Sequence, residues 1–204
     1  MKKITLLLTF VLLSFTKGKA QTFELGFGIG SGTAYLVENL DDGIDIDYST
    51  PLSSYVDLKY SKSDKYFGAK LRLQYLNAGI RGSNWKGLNY NINGEVTSLT
   101  TLILLEHLKC NSKWNSGYNF GLGYTNQTFK PDLVNSINNI ESTYLSINIS
   151  GILNRKINEN FSFQIEPNLM WTDPINSLRN REKWQIAGED ISMLIQLGLT
   201  YRIN

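Results

Sequence analysis

Cysteine, histidine and proline are scarce in this sequence. The single cysteine, Cys110, excludes an internal disulfide. The single histidine, His107, lies three residues before it. Together they offer two metal ligands where a closed site takes three or four, and on a strand a spacing of three turns them to opposite faces. Long apolar runs are lacking too. After residue 20 none approaches the roughly 20 residues of a membrane-spanning helix, so any passage through lipid would need a closed sheet with every backbone group paired. There is no Pro-rich or low-complexity linker and no repeat longer than a hairpin. About 184 residues past the first 20 suit one domain.

Strong net charge is also missing. The formal charge is +2, and four of the lysines (Lys2, Lys3, Lys17 and Lys19) fall in the first 20 residues, which hold no acid. That stretch reads as a secretory signal peptide: a basic head, an apolar run from Ile4 to Phe15, and a small-x-small site at Gly18-Lys19-Ala20. Cleavage after Ala20 would leave residues 21–204 with a net charge of −2. The basic balance then belongs to the precursor, and no nucleic-acid partner is expected.

What the sequence has in quantity is alternation with period two, the mark of strands with two unlike faces. In FSFQIEPNLMW, Phe161, Phe163, Ile165, Pro167, Leu169 and Trp171 alternate with Ser162, Gln164, Glu166 and Asn168. Seven further segments have strand character: TFELGFGIG, LSSYVDLKY, FGAKLRLQY, VTSLTTLILLEHLKC, YNFGLGY, the stretch around Leu145, Ile147 and Ile149, and ISMLIQLGLTYRI. The fourth of the eight segments is ambiguous in facing because Leu102 to Leu105 are consecutive apolar residues. Short connections alternate with long polar ones at 33–50, 77–94, 127–142 and 173–188. Eight strands with tight turns at one end and long loops at the other predict an antiparallel up-and-down transmembrane β-barrel. Both termini would lie on the periplasmic side.

Volume decides the facing. An eight-stranded barrel has an interior just wide enough for side chains to fill. The Phe, Tyr, Leu and Ile rows are too bulky for it, whereas the Gly, Ser, Asn and Gln rows fit. The apolar rows therefore face outward. Soluble monomers rarely expose so much apolar surface, so lipid is the expected surrounding. The alternative is a soluble lipocalin-like carrier with its greasy rows inside. Phe23, Tyr60, Phe67, Tyr118, Phe161 and Tyr201 would form one aromatic girdle, and Tyr75, Tyr124 and Trp171 the other. Pro167 is expected at a bulge or rim.

The leader ending in Ala20-Gln21, the glycine-alternating ELGFGIG and the terminal LGLTYRIN resemble small outer-membrane β-barrel proteins of Bacteroidetes-type bacteria. These are similar in architecture to the OmpA-like membrane domain and the opacity-type adhesins. The resemblance spans residues 21–204. It implies the lipid bilayer of the bacterial outer membrane as location, and recognition of the C-terminal strand by the barrel-assembly machinery. Family members commonly end in an aromatic; here the nearest is Tyr201, ahead of Ile203-Asn204.

Candidate chemistry is sparse, and no catalytic, cofactor-binding or metal-ligating residue is assigned. Lipid A hydrolase or acyltransferase chemistry needs a base near the outer leaflet, and His107 falls at the opposite, periplasmic end. Asn39, Asp41, Asp42, Asp45 and Asp47 form an acidic first loop whose spacing lacks the Glu of an EF-hand. It is expected to meet the basic fourth loop with Arg179, Arg181 and Lys183. Glu24, Asp57, Lys59, Lys70, Arg72, Glu166 and Arg202 face the lumen and are expected to plug it. A four-residue turn at Lys62–Lys65 predicts that Tyr60 pairs with Phe67, Leu58 with Ala69, Asp57 with Lys70 and Tyr55 with Arg72. The expected function is a non-enzymatic structural or surface-interaction protein presenting Trp85, Tyr90, Ile137 and Trp184. Alternatives are a component of a secretion machine of the PorT type and a narrow transport channel.

Overall fold

A computed structural model describes residues 21–34, 45–62, 67–85, 90–109, 113–131, 140–174 and 191–203. The expected signal peptide, residues 1–20, lies outside them. Nine strands run in chain order: β1 Gln21–Thr33, β2 Asp45–Tyr48, β3 Leu52–Lys62, β4 Phe67–Trp85, β5 Tyr90–Lys109, β6 Trp114–Pro131, β7 Ile140–Lys156, β8 Phe161–Thr172 and β9 Ile191–Ile203. Eight of them close a barrel in the order β1, β3, β4, β5, β6, β7, β8, β9 and back to β1, every pair antiparallel. The short β2, unforeseen in the sequence, adds to β4 at Ile80–Ser83.

Closure can be followed residue by residue. Phe23 pairs with Tyr60, Tyr60 with Ala69, Ala69 with Leu105, Leu105 with Phe120, Phe120 with Ile149, Ile149 with Leu169, and Leu169 with Met193. Met193 pairs with Thr33, so one circuit returns to β1 ten residues above its start. With strand spacings of ~4.8 Å and rises of ~3.3 Å per residue, that stagger tilts the strands by about 40°. Most of this row is apolar and outward-facing.

Facing follows the volume argument. Leu25, Phe27, Ile29, Val56, Leu58, Leu71, Leu73, Leu122, Ile195 and Leu197 are exposed, while Asp57, Lys70, Arg72, Asn119, Glu166 and Gln196 are buried inside. The soluble-carrier alternative needs the reverse. On the ambiguous strand β5, Ile103 and Leu105 are 66% and 62% exposed, and Leu102 and Leu104 are 0%. Two leucines fit the lumen because Gly123 and Gly121 lie opposite them on β6. A Cβ on Gly121 would stand 2.4 Å from Leu104 Cδ2 and 2.5 Å from the Ile103 carbonyl oxygen. The glycines on the inward row of β6 are what let β5 carry apolar residues on both faces.

Three expectations are corrected. The β3–β4 register is two residues away from the four-residue-turn pairing: Tyr60 pairs with Ala69, Leu58 with Leu71, Asp57 with Arg72 and Tyr55 with Gln74. Parity, and hence facing, is unchanged. The physical reason is charge: this register sets the Asp57 carboxylate against the Arg72 fork, and it lets Lys59 and Lys70, now opposite each other, share Glu106. Pro167 sits at neither bulge nor rim. The β7–β8 register is the same before and after it, with the ladder open between Ser150–Asn168 and Leu153–Ile165. Gly151 leaves room there for the ring. The described residues of the stretches 77–94 and 127–142 are all strand rather than loop, because β4, β5, β6 and β7 run far past the other strands.

Candidate interaction surface and sealed lumen

The lumen is closed by a network centred on Arg72, which has no solvent exposure. Its Nε and Nη2 donate to the two carboxylate oxygens of Asp57 at 2.7 and 2.8 Å. Its Nη1 and Nη2 donate to the two oxygens of Glu166, each at 2.8 Å, and Nη1 also reaches Gln196 Oε1 at 3.1 Å. The guanidinium lies 4.1 Å from the centre of the Tyr55 ring. Glu166 accepts further bonds from Ser150, Asn119 and Gln164. A planar fork with five donors suits this double bidentate role.

A second cluster lies toward the short-turn end. Glu106 accepts both Lys59 and Lys70 at 2.6 Å, and Lys59 also meets Glu24 at 3.0 Å. Arg202 reaches Glu24 at 3.4 Å. All seven lumen charges foreseen in the sequence are thus brought together. Glu106 was missed, since it sits on the strand whose facing was ambiguous. Two signals could have found it: it shares parity with the inward Leu102 and Leu104, and it balances four bases with a fourth acid.

His107 faces outward in the lower aromatic girdle. Its ring lies 4.8 Å from Phe67 and 5.1 Å from Tyr118, its neighbours on β4 and β6. Phe23–Tyr60 and Phe161–Tyr201 are similar pairs in the same girdle. Cys110 lies outside the described residues. No group of three or more His, Cys, Asp or Glu side chains that could hold a metal occurs among the described residues. Of the acidic first loop, Asn39, Asp41 and Asp42 lie outside the description, as do Ile137, Arg179, Arg181, Lys183 and Trp184. Asp47 is in β2, paired with Arg81 of β4, so the described part of that loop leans away from β9.

The outward rows change character at one level. Below it they are mainly apolar; beyond Tyr75 on β4 come Asn77, Gly79 and Arg81, and beyond Tyr124 on β6 come Asn126, Thr128 and Lys130. Asn93, Glu95 and Thr97 on β5, and Glu141 and Thr143 on β7, complete this polar face. Glu95 lies opposite Lys130, and Thr143 donates to Asn126 Oδ1 at 2.9 Å. The ten residues of β4 past Tyr75 carry the sheet about 25 Å further at ~3.3 Å per residue and a tilt of about 40°. Its inward face is buried and mainly apolar, with Leu76, Ala78, Ile80, Val96 and Phe129 beside Ser98 and Gln127. The strand β2 and the Ser49 backbone and hydroxyl, both bonded to Gly79, brace its edge. Trp85 and Tyr90 pair at the tip of the β4–β5 hairpin.

No family model matches this chain, and no characterised protein matches it by sequence. Solved structures do. The attachment invasion locus protein of Yersinia pestis, crystallised with the heparin analogue sucrose octasulfate, superposes with a TM-score of 0.54 at 11% identity, over 90% of this chain and 99% of that one. Neisserial surface protein A gives 0.49 at 8% identity, over 89% and 96%. The N-terminal barrel domain of OprF from Pseudomonas aeruginosa gives 0.42 at 16%, over 92% and 100%. The likeness to the first shows the fold: the chain is a closed eight-stranded barrel of the outer-membrane type.

Proposed function

We propose that this protein is a non-enzymatic barrel of the bacterial outer membrane, exported by its first 20 residues, that holds a rigid sheet outside the cell for contact with another protein. The observation that carries the reading is the polar extension of β4, β5, β6 and β7 beyond the apolar belt. A barrel needs no such extension to span lipid. Arg81 and Lys130 stand among Glu95 and Glu141, so the outer face has no single sign of charge, which favours a protein surface over a polyanion. The Arg72 network fills the lumen and speaks against the channel alternative. Folding would proceed through the barrel-assembly machinery reading β9, the strand that closes onto β1.

An epitope inserted between residues 86 and 89 tests the orientation. Antibody should label intact cells. Labelling only after permeabilisation would overturn the reading, and would favour a role on the periplasmic side such as a secretion-machine component.

A further inference from the structure

We propose that the short-turn mouth of the barrel is a binding site for the anionic group, carboxylate or phosphate, of a water-soluble molecule. A cavity of about 530 Å³ opens there, lined by Glu24, Lys113, Lys156, Ser162, Thr200 and Arg202 and by the turn 157–160. That volume is in the range of small-ligand sites. Its rim is built rather than loose. Asn158 Oδ1 accepts the backbone N–H groups of Asn160 and Phe161, the Arg202 N–H donates to the Asn160 carbonyl, and the Lys156 N–H donates to the Lys113 carbonyl. The last bond holds the two lysines side by side.

The charge in this mouth is unevenly spent. Glu24 is engaged twice, by Lys59 and by Arg202. Lys113 and Lys156 have no ion pair among the described residues, and Arg202 keeps a buried Nε–H without an acceptor. Glu159 on the turn is the remaining acid of the lining. Two ammonium groups without an ion pair among the described residues and the hydroxyls of Ser162 and Thr200 line the cavity as donors, beside the Arg202 guanidinium. That set matches an oxyanion with several acceptor atoms. Glu24, Ser162, Thr200 and Arg202 sit on the inward rows of β1, β8 and β9, so the ligand enters along the barrel axis from water and not sideways from lipid. Only the name of the compartment, the periplasm, rests on the function proposed above.

The test uses the full barrel in zwitterionic nanodiscs at low salt, titrated calorimetrically with inorganic phosphate, citrate or tetraglutamate. At least one probe should bind saturably, with phosphate alone or the carboxylates alone identifying the group. Lys113→Glu with Lys156→Glu should weaken it about tenfold or more. Arg202→Gln should also weaken it, and Lys130→Glu at the far end of the barrel should not. These lysines are exposed, so the variants should keep the gel shift of a closed barrel. Absence of saturable binding for all three probes, or equal binding in the lysine variant, would overturn the proposal. Loss of probe binding when the disc contains phosphatidylglycerol would overturn the assignment to a soluble ligand. Because the assay is indifferent to orientation in a cell, its failure is separable from failure of the surface-display reading.

Discussion

A guanidinium with no exposure must find acceptors for its N–H groups, and Arg72 finds them in Asp57, Glu166 and Gln196. Removing it leaves two buried carboxylates without their bidentate partner, Asp57 keeping only Lys70 at 4.0 Å, a loss of about 3–5 kcal/mol for such networks. Arg72→Met should therefore lower the urea midpoint of the folded band on unheated gels by that much stability. Arg72→Lys should recover only part, since one ammonium cannot serve two carboxylates bidentately. One layer above, Gln74, Asn148 and Asn168 are buried with side-chain amides that lack partners. Asn168→Leu gives up no protein hydrogen bond and keeps the branched shape of the side chain, so its effect should stay within about 1 kcal/mol in the same assay. A larger loss would show that this amide is bonded in the folded barrel. Arg72 was legible in the sequence as a charge on the small-residue face of an alternating strand. Its partners were not, because they come from positions 15, 94 and 124 residues away, and alternation says nothing about which distant strand lies across the lumen.

At the scale of the strand, alternation fixed the facing but not the register. A turn of four residues and a turn of six both keep Leu71, Leu73 and Tyr75 outward, and the pairing of Asp57 with Arg72 decides between them. With Cys110 replaced by Ser, Leu58→Cys with Leu71→Cys should cross-link on oxidation, because these positions are directly opposite. Leu58→Cys with Ala69→Cys should not. The reverse pattern, read on non-reducing gels, would restore the tighter turn. Lipid-soluble reagents should label position 58 or 71 and leave a Lys70→Cys variant untouched. The same limit explains β5. Its run of consecutive apolar residues has no period of its own, and its facing became readable only beside Gly121 and Gly123 on β6. The long connections misled for a related reason. Asn, Thr and charged residues on the outward rows above Tyr75 and Tyr124 look like loop composition, yet they are what a strand shows once it leaves lipid for water.

For the whole molecule, closure and display occupy different parts of the chain. The circuit from Phe23 to Thr33 passes through Ala69, Leu105, Phe120 and Ile149, all below the level at which the outward rows turn polar. The protruding sheet adds pairs such as Ile80–Gly94 and Val96–Phe129, but none that closes the barrel. Gly79 and Glu95 are opposite each other in register, so residues 80–94 can be replaced by Asn-Gly, a two-residue turn whose twist suits antiparallel strands. The shortened chain loses Ile80 from the buried inward face and the strand partner of β2, and keeps Arg72, Asp57, Glu106 and Glu166 in place. It should still fractionate with the outer membrane and still migrate faster unboiled than boiled, while capture of any extracellular partner by the intact protein is lost. Loss of the gel shift on shortening would mean that the sheet is part of what folds the barrel. Its length would then be explained by stability, and the case for a display platform would fall with it.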